Sequence, residues 1–304
     1  MDNFTNLHLH TLYSIGDSVI KIEDLVNKLV EYGQTACAIT DHSSTAGFFD
    51  FKKACQQHDI KPIFGNELYM NQSYASPDRA KEHFVCLAMN DEGVRNINRL
   101  QNAGVEHFYY KPTVSYESFE DYGYGLFGTS ACSQGIIPRL ILDDKIDTAW
   151  DWADKFMNLF DENFALELQF HPEYHDQYEI NKGLLRIHEL SGIPLTVSTD
   201  AHIIDTTYSP VRKAITAIGY KTKYESGYDT LYSNVVGNTD LILQFAEASD
   251  FDLKVARQAI DFTKKIADKC NADLCDTGRK VPEFNKHDEL WGLMDEVLGE
   301  NLDE

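Results

Sequence analysis

Apolar positions in this chain switch between two periods. Short apolar runs read as strands at Phe4–His10, Thr35–Thr40, Pro62–Met70, His83–Met89, Gly125–Thr129, Phe164–Gln169 and Ile193–Ser198. Between them, apolar residues recur every three or four positions and predict helices at Ile22–Tyr32, Ala46–Gln57, Asp91–Asn102, Thr148–Phe160 and Gln177–Leu190. Gly33 stops the first of these helices and Ser191-Gly192 the last. Strands alternating with helices predict parallel βα units that close into a distorted seven-stranded (β/α)7 barrel.

After about residue 206 the pattern changes. Val211–Gly219 reads as a short helix and Lys221–Asn238 as an extended polar loop. Asp240–Phe251 and Leu253–Lys269 read as helices, with a weaker helical signal at Asp288–Leu298 in an acidic tail. No linker rich in Pro, Gly or Ser separates this part. The expectation is a barrel over residues 1–206 and a helical extension over 207–304, packed on it.

Composition adds one constraint. Of 304 residues, 43% are apolar and 25% charged, ordinary values for a soluble enzyme, but the net charge is −22. Such a surface repels a polyanion, so engagement of nucleic acid is expected to be weak and directed at ends. Bound metal ions would reverse the sign locally. The six cysteines show no disulfide-like spacing, and Cys270 and Cys275 have no second pair to complete a zinc ribbon, so free thiols are expected. The N-terminus has no signal-peptide pattern and no apolar run approaches a membrane span, which predicts a soluble, cytoplasmic protein.

The candidate chemistry sits at the ends of the strand-like runs. These ends carry His8-Leu9-His10, Asp41-His42, Glu67, His83 and Asp200-Ala201-His202. Residues i and i+2 of a strand share a face, so His8 with His10 and Asp200 with His202 are chelating pairs. A mixture of imidazole and carboxylate suits zinc, manganese or iron. Strands that deliver ligands at their ends point to a barrel with its site on one face.

The same residues carry a resemblance. The opening His8-Leu9-His10-Thr11-Leu12-Tyr13-Ser14 with Asp17 is similar to the PHP (polymerase and histidinol phosphatase) domain family, above all to its version in bacterial replicative DNA polymerases. Ala38-Ile39-Thr40-Asp41-His42, Lys61 to Tyr69, His83 to Ala88 and Phe108 to Pro112 continue it in order. So do Thr129 to Gly135, Leu166-Glu167-Leu168-Gln169 with His171, and Asp200-Ala201-His202. The resemblance implies a metal-dependent phosphoesterase with two or three metal ions. It implies a first metal on His8, His10, Glu67 and Asp200, and a second on Glu67, His83 and Cys132. A third falls to Asp17, His42 and His202, with Glu67, Asp200 and His42 as the catalytic group. It further implies a free-standing domain without polymerase activity, most readily a 3′→5′ exonuclease on single-stranded DNA, and a replication protein as a candidate partner. A small-molecule phosphatase or pyrophosphatase, and a non-catalytic binding module, are the alternatives.

Several residues have blander readings. Asp17 is also a plausible turn or helix-capping residue, and Cys132 a small buried hydrophobe. Asp41 is a candidate orienter of a neighbouring imidazole. Lys111, Arg139 and His171 are candidate substrate contacts; Arg79 and Lys81 fit ordinary surface charges as well. Tyr109 and Tyr110 can stack a base, although packed loop tyrosines are commoner.

Overall fold

The computed structural model describes residues 2–75, 81–219, 221–224 and 232–274, to which every structural statement below refers. Arg79, Cys275 and the expected helix at 288–298 lie outside them, as does part of the expected loop 221–238. Seven strands form one mixed sheet: β1 (Ala36–Ile39), β2 (Lys61–Asn71), β3 (Glu82–Ala88), β4 (Thr113–Ser115), β5 (Leu126–Thr129), β6 (Phe164–Gln169) and β7 (Leu195–Ser198). The order is β1-β2-β3-β5-β6-β7, with β4 on β2.

Two features depart from the expected all-parallel (β/α)7 barrel. First, β3 runs antiparallel to both β2 and β5, while the β1–β2, β5–β6 and β6–β7 pairs are parallel. Second, Phe4–His10 is not a ladder strand. It bridges singly to Cys37 on one side and to Ala201 on the other. The amides of Ala38 and Thr40 donate to the carbonyls of Asn6 and Leu9, and the amide of His10 donates to Ala201 O at 2.8 Å. The segment thus joins both edges of a curled sheet. The seventh strand is instead β4, three residues that the sequence pattern does not mark.

The helices follow local rules. α1 (Ile22–Tyr32) buries Leu25, Val26 and Leu29 on one face and ends at Gly33, whose φ of 68° is the left-handed value that glycine adopts without strain. Next come α2 (Phe48–Gln56), α3 (Asp91–Glu106), α4 (Tyr116–Tyr122), α5 (Ile136–Leu142), α6 (Ile146–Leu159) and α7 (His175–Ser191). After β7 follow a 3₁₀ turn at Thr206–Tyr208, α8 (Ser209–Gly219), α9 (Thr239–Ala248) and α10 (Leu253–Lys269). Asp252 caps α10, its carboxylate accepting from the amides of Lys254 and Val255.

Leu7 of the N-terminal segment and the sheet residues Ala38, Ile63, Val85, Leu87, Phe127 and Ala165 form one apolar cluster with Ile266, Ala267 and Cys270 at the end of α10. Lys61 Nζ donates to Ala267 O, and the Thr5 amide to Thr263 Oγ1. α10 is therefore fixed on the sheet and N-terminal segment by burial and by specific polar contacts. No helix among the described residues is long and apolar enough to cross a membrane. The five described cysteines are buried and free.

Candidate metal centre

Ligand-type side chains gather at one end of the sheet. Residues after the C-terminal ends of β1, β5 and β7 bring Asp41-His42, Cys132 and Asp200-Ala201-His202. The N-terminal segment adds His8 and His10. His83 arrives from the opposite chain direction. Because β3 is antiparallel, its start lies beside the far half of β2, where Tyr69 pairs with His83 and Glu67 with Val85.

Glu67 is the hub. Its carboxylate, 1% exposed, lies 2.8 Å from His83 Nδ1 and 2.8 Å from His42 Nδ1. His10 Nε2 and His8 Nε2 stand 3.2 and 3.3 Å away, and both are also within 3.3 Å of Asp200 Oδ1. Cys132 Sγ is 3.4 Å from His83 Nδ1 and 3.7 Å from Glu67 Oε1. On the outer side Asp17 Oδ2 is 3.1 Å from His42 Nε2 and 3.3 Å from His202 Nε2. All nine expected ligands are thus in one continuous cluster.

The cluster has the signature of a metal site. His8 Nε2, His10 Nε2, His42 Nδ1 and Asp200 Oδ1 are buried and have no hydrogen bond, although each faces opposing donors or acceptors at close range. Buried polar atoms are normally paired, so lone pairs converging without bonds call for a cation. Three overlapping groups place their ligand atoms within 4.8 Å of one another: His8/His10/Asp200, His42/Glu67/His83 and His10/His42/His202. The donor set fits zinc, manganese or iron.

Hydrogen bonds behind the cluster fix which nitrogen points inward. His8 Nδ1 donates to Glu167 Oε1 at 2.7 Å, and Glu167 also accepts from Thr129, Ser198 and Gln169. His10 Nδ1 donates to Ser14 Oγ at 2.9 Å, and Ser14 Oγ donates in turn to Asp41 Oδ1 at 2.7 Å. Asp41 therefore acts on the His10 imidazole through Ser14, whose hydroxyl also accepts from the His42 amide. His202 Nδ1 donates to the Asp200 carbonyl at 2.7 Å. Each bond leaves an Nε2 lone pair facing the centre.

Glu167 and Arg212 have no assigned role in the sequence reading. Glu167 is signalled by a charged residue inside the apolar run Phe164–Leu168, a position that requires buried partners. Arg212, from α8, is buried, reaches Asp17 Oδ1 at 3.3 Å and the Asp17 carbonyl at 3.2 Å, and bonds Asn234 Oδ1. Asn234 Nδ2 donates to the carbonyls of Thr199 and Asp200. No local pattern reveals such contacts. Three ligands have a non-glycine neighbour or backbone at positive φ: Ser43 beside His42, Ala131 beside Cys132, and Asp200 itself. Strain of this kind concentrates at functional sites.

Electrostatics follow the geometry. Burial pushes the Glu67 carboxyl up, but the imidazoles of His83, His42 and His8 hold it well below the carboxylate range. Burial lowers His42, yet Glu67 and Asp17 raise it to about 10. His8 is likewise raised, against burial, by Asp200, Glu167 and Glu67. His202 is lowered by burial and by Arg212. Cys132 is pushed up by burial and then by the Glu67 and Asp200 charges.

The candidate substrate residues separate. A cavity of about 350 Å³ opens beside Asp17 and His42, and Lys111, Tyr69, Tyr13, Ser43 and Ser44 line it. Lys111 Nζ donates to the Tyr69 hydroxyl at 3.0 Å. Arg139 is an exposed side chain on α5, outside the lining of this cavity. His171 is 3% exposed, with Nδ1 2.6 Å from Ser233 Oγ and Nε2 3.2 Å from Gln169 Oε1. Both ring nitrogens are taken, so it packs as an interior histidine and presents no group to a substrate.

The profile of the PHP domain matches residues 6–171. The chain belongs to the PHP domain family, a hydrolase family. Among curated relatives, it is 32% identical to the DNA polymerase III alpha subunit of Borreliella burgdorferi over 277 residues, 88% of this chain and 24% of the relative. The Aquifex aeolicus alpha subunit is 34% identical over 217 residues, 67% of this chain and 18% of that one. The chain thus spans about a quarter or less of these relatives. A solved structure of a candidate metal-dependent phosphoesterase from Bifidobacterium adolescentis shares 16% identity at a TM-score of 0.43, covering 80% of this chain and 96% of that one.

Proposed function

We propose that this protein is a metal-dependent phosphoesterase that removes nucleotides stepwise, 3′→5′, from single-stranded DNA. One observation carries the metal-dependent part: buried His8 Nε2, His10 Nε2 and Asp200 Oδ1 converge unbonded around Glu67. In this reading His8, His10, Glu67 and Asp200 hold one zinc, manganese or iron ion, Glu67, His83 and Cys132 a second, and Asp17, His42 and His202 a third. Such ions, when bound, polarise a phosphoryl group and stabilise a leaving oxygen.

The chain's residues supply the rest. Glu67, Asp200 and His42 form the catalytic group, with Glu167 and Ser14 fixing the neighbouring imidazoles. Lys111 offers a positive charge at the cavity mouth, where a phosphate enters. The alpha-subunit relatives support a DNA substrate and a place beside a replication protein. A second reading, a small-molecule phosphatase or pyrophosphatase, is favoured by the net charge of −22 and the compact cavity.

The test is hydrolysis of 5′-labelled single-stranded DNA by protein loaded with manganese or zinc, with bis-p-nitrophenyl phosphate and mononucleotides in parallel. A ladder of shortened products lost in Glu67→Ala and His8→Ala supports the exonuclease. Turnover of small esters alone moves the assignment to the phosphatase. Silence on all substrates with metal bound leaves the non-catalytic module.

A further inference from the structure

We propose that Tyr109 and Tyr110, flanked by Lys81 and Lys111, form a subsite that holds a single-stranded polynucleotide by stacking a base beside the metal centre. This rests on the nucleic-acid reading above and specifies where the strand lies.

The loop Phe108–Pro112 is placed by β4. Thr113 pairs with Tyr69 in β2, on the edge opposite β3, and this sets the residues just before it against the cavity. Tyr109 and Lys111 form a single antiparallel bridge, so Tyr110 sits at the tip of a tight turn at φ 62°. A bulky residue in this left-handed region is uncommon and costs energy. The turn does not repay that cost by burying the ring: Tyr110 is 76% exposed and Tyr109 46%. The two rings meet edge to face at 4.6 Å. They are not the packed loop tyrosines of the blander reading.

The charges around them are equally specific. Lys81 Nζ stands 5.4 and 5.2 Å from the two ring centroids and donates to the Tyr109 carbonyl. Lys111 Nζ lies 4.8 Å from the Tyr69 ring centroid. The Tyr69 ring is nearly parallel to His42, 5.4 Å away. Lys81 and Lys111 thus place positive charge beside aromatic rings on a chain of net charge −22. Lys81 lies over both tyrosine rings, the Tyr109 amide donates to the Lys111 carbonyl, and Lys111 Nζ bonds Tyr69, whose ring stacks on His42. Alternating cations and aromatic faces match the phosphates and bases of a single strand, and stacking on aromatic rings tolerates any base.

Binding of a fluorescein-labelled, phosphorothioate-linked oligothymidine to the metal-loaded full chain, followed by anisotropy, tests this without turnover. Tyr109→Ala/Tyr110→Ala should weaken binding at least about fivefold, and the Phe/Phe pair, which keeps the rings, should stay within about twofold of wild type. Lys81→Ala should weaken binding and flatten its salt dependence. Circular dichroism and thermal melting report whether each variant is folded. Ala/Ala binding within about twofold of wild type, or no wild-type binding at low salt, overturns the subsite. Hydrolysis of bis-p-nitrophenyl phosphate by wild type is scored separately, so the phosphoesterase reading survives that result. Tyrosine-dependent binding without any ester hydrolysis supports the subsite and overturns the phosphoesterase.

Discussion

His8 Nδ1 lies 2.7 Å from Glu167 Oε1, and this contact decides that His8 turns Nε2 toward Glu67 and Asp200. Glu167 is fully buried, is held below the usual carboxylate range by His8 despite burial, and accepts from Thr129, Ser198 and Gln169 as well. It touches neither the cavity nor Lys111. Its effect reaches the centre through the His8 imidazole and through Ser198, whose hydroxyl also accepts from the Asp200 amide.

Glu167→Gln therefore keeps shape but loses the charge that orients His8. Metal affinity should fall about 10- to 100-fold, the usual effect of an outer partner. Competitive titration against a zinc chelator measures it; an unchanged affinity refutes the orienting role.

Glu67→Ala removes the carboxylate shared by His8, His10, His42 and His83. The loss of metal should exceed about 100-fold, the upper end for outer partners. Elemental analysis after gel filtration reads bound metal, and full occupancy in a folded variant contradicts the hub assignment.

Metal and protons compete for the same atoms. Without metal, His42 rises from 6.5 to about 10, so its stabilisation is complete below pH 6.5 and disappears as pH climbs toward 10. The carboxylates of Glu67, Asp17 and Asp200 are lowered, so their contribution is present above about pH 4 and is lost as pH falls through their folded values. Chelated protein should melt highest in mild acid. Zinc should reverse the alkaline loss, because binding displaces protons. Melting curves across pH with and without chelator check the sign.

Arg212→Ala strands Asp17 without its buried cation and releases Asn234. Breaking a largely buried pair from one side costs about 3 kcal/mol. Urea denaturation of the chelated protein measures it, and a loss under about 0.5 kcal/mol would show the pair to be idle, as at exposed sites.

Gly65 sits in β2 two residues before Glu67. A Cβ there would come 2.6 Å from Leu87 Cδ2 and 2.8 Å from the Cys86 carbonyl, which is backbone and cannot step aside. Gly65→Ala should cost about 1–3 kcal/mol by overpacking and lower metal occupancy by displacing Glu67. Melting and metal content should fall together.

What the sequence determined by itself was local. α1 and α10 begin and end where the apolar spacing predicts, because caps and amphipathic faces act over a few neighbouring residues. Most ligand residues are legible for the same reason: chelating types follow or open short apolar runs or, at Glu67, interrupt one. Tertiary structure decided which strand is antiparallel, and thereby how His83, at the start of β3, joins residues from the ends of β1, β5 and β7. It made Phe4–His10 a bridge between sheet edges and placed β4, hence Lys111 and the two tyrosines, against β2. It also brought Glu167 behind His8 and Arg212 onto Asp17, left Arg139 at the surface and enclosed His171. Strand direction and long-range polar contacts are set by which distant segments bury each other, and no window of neighbouring residues contains that information.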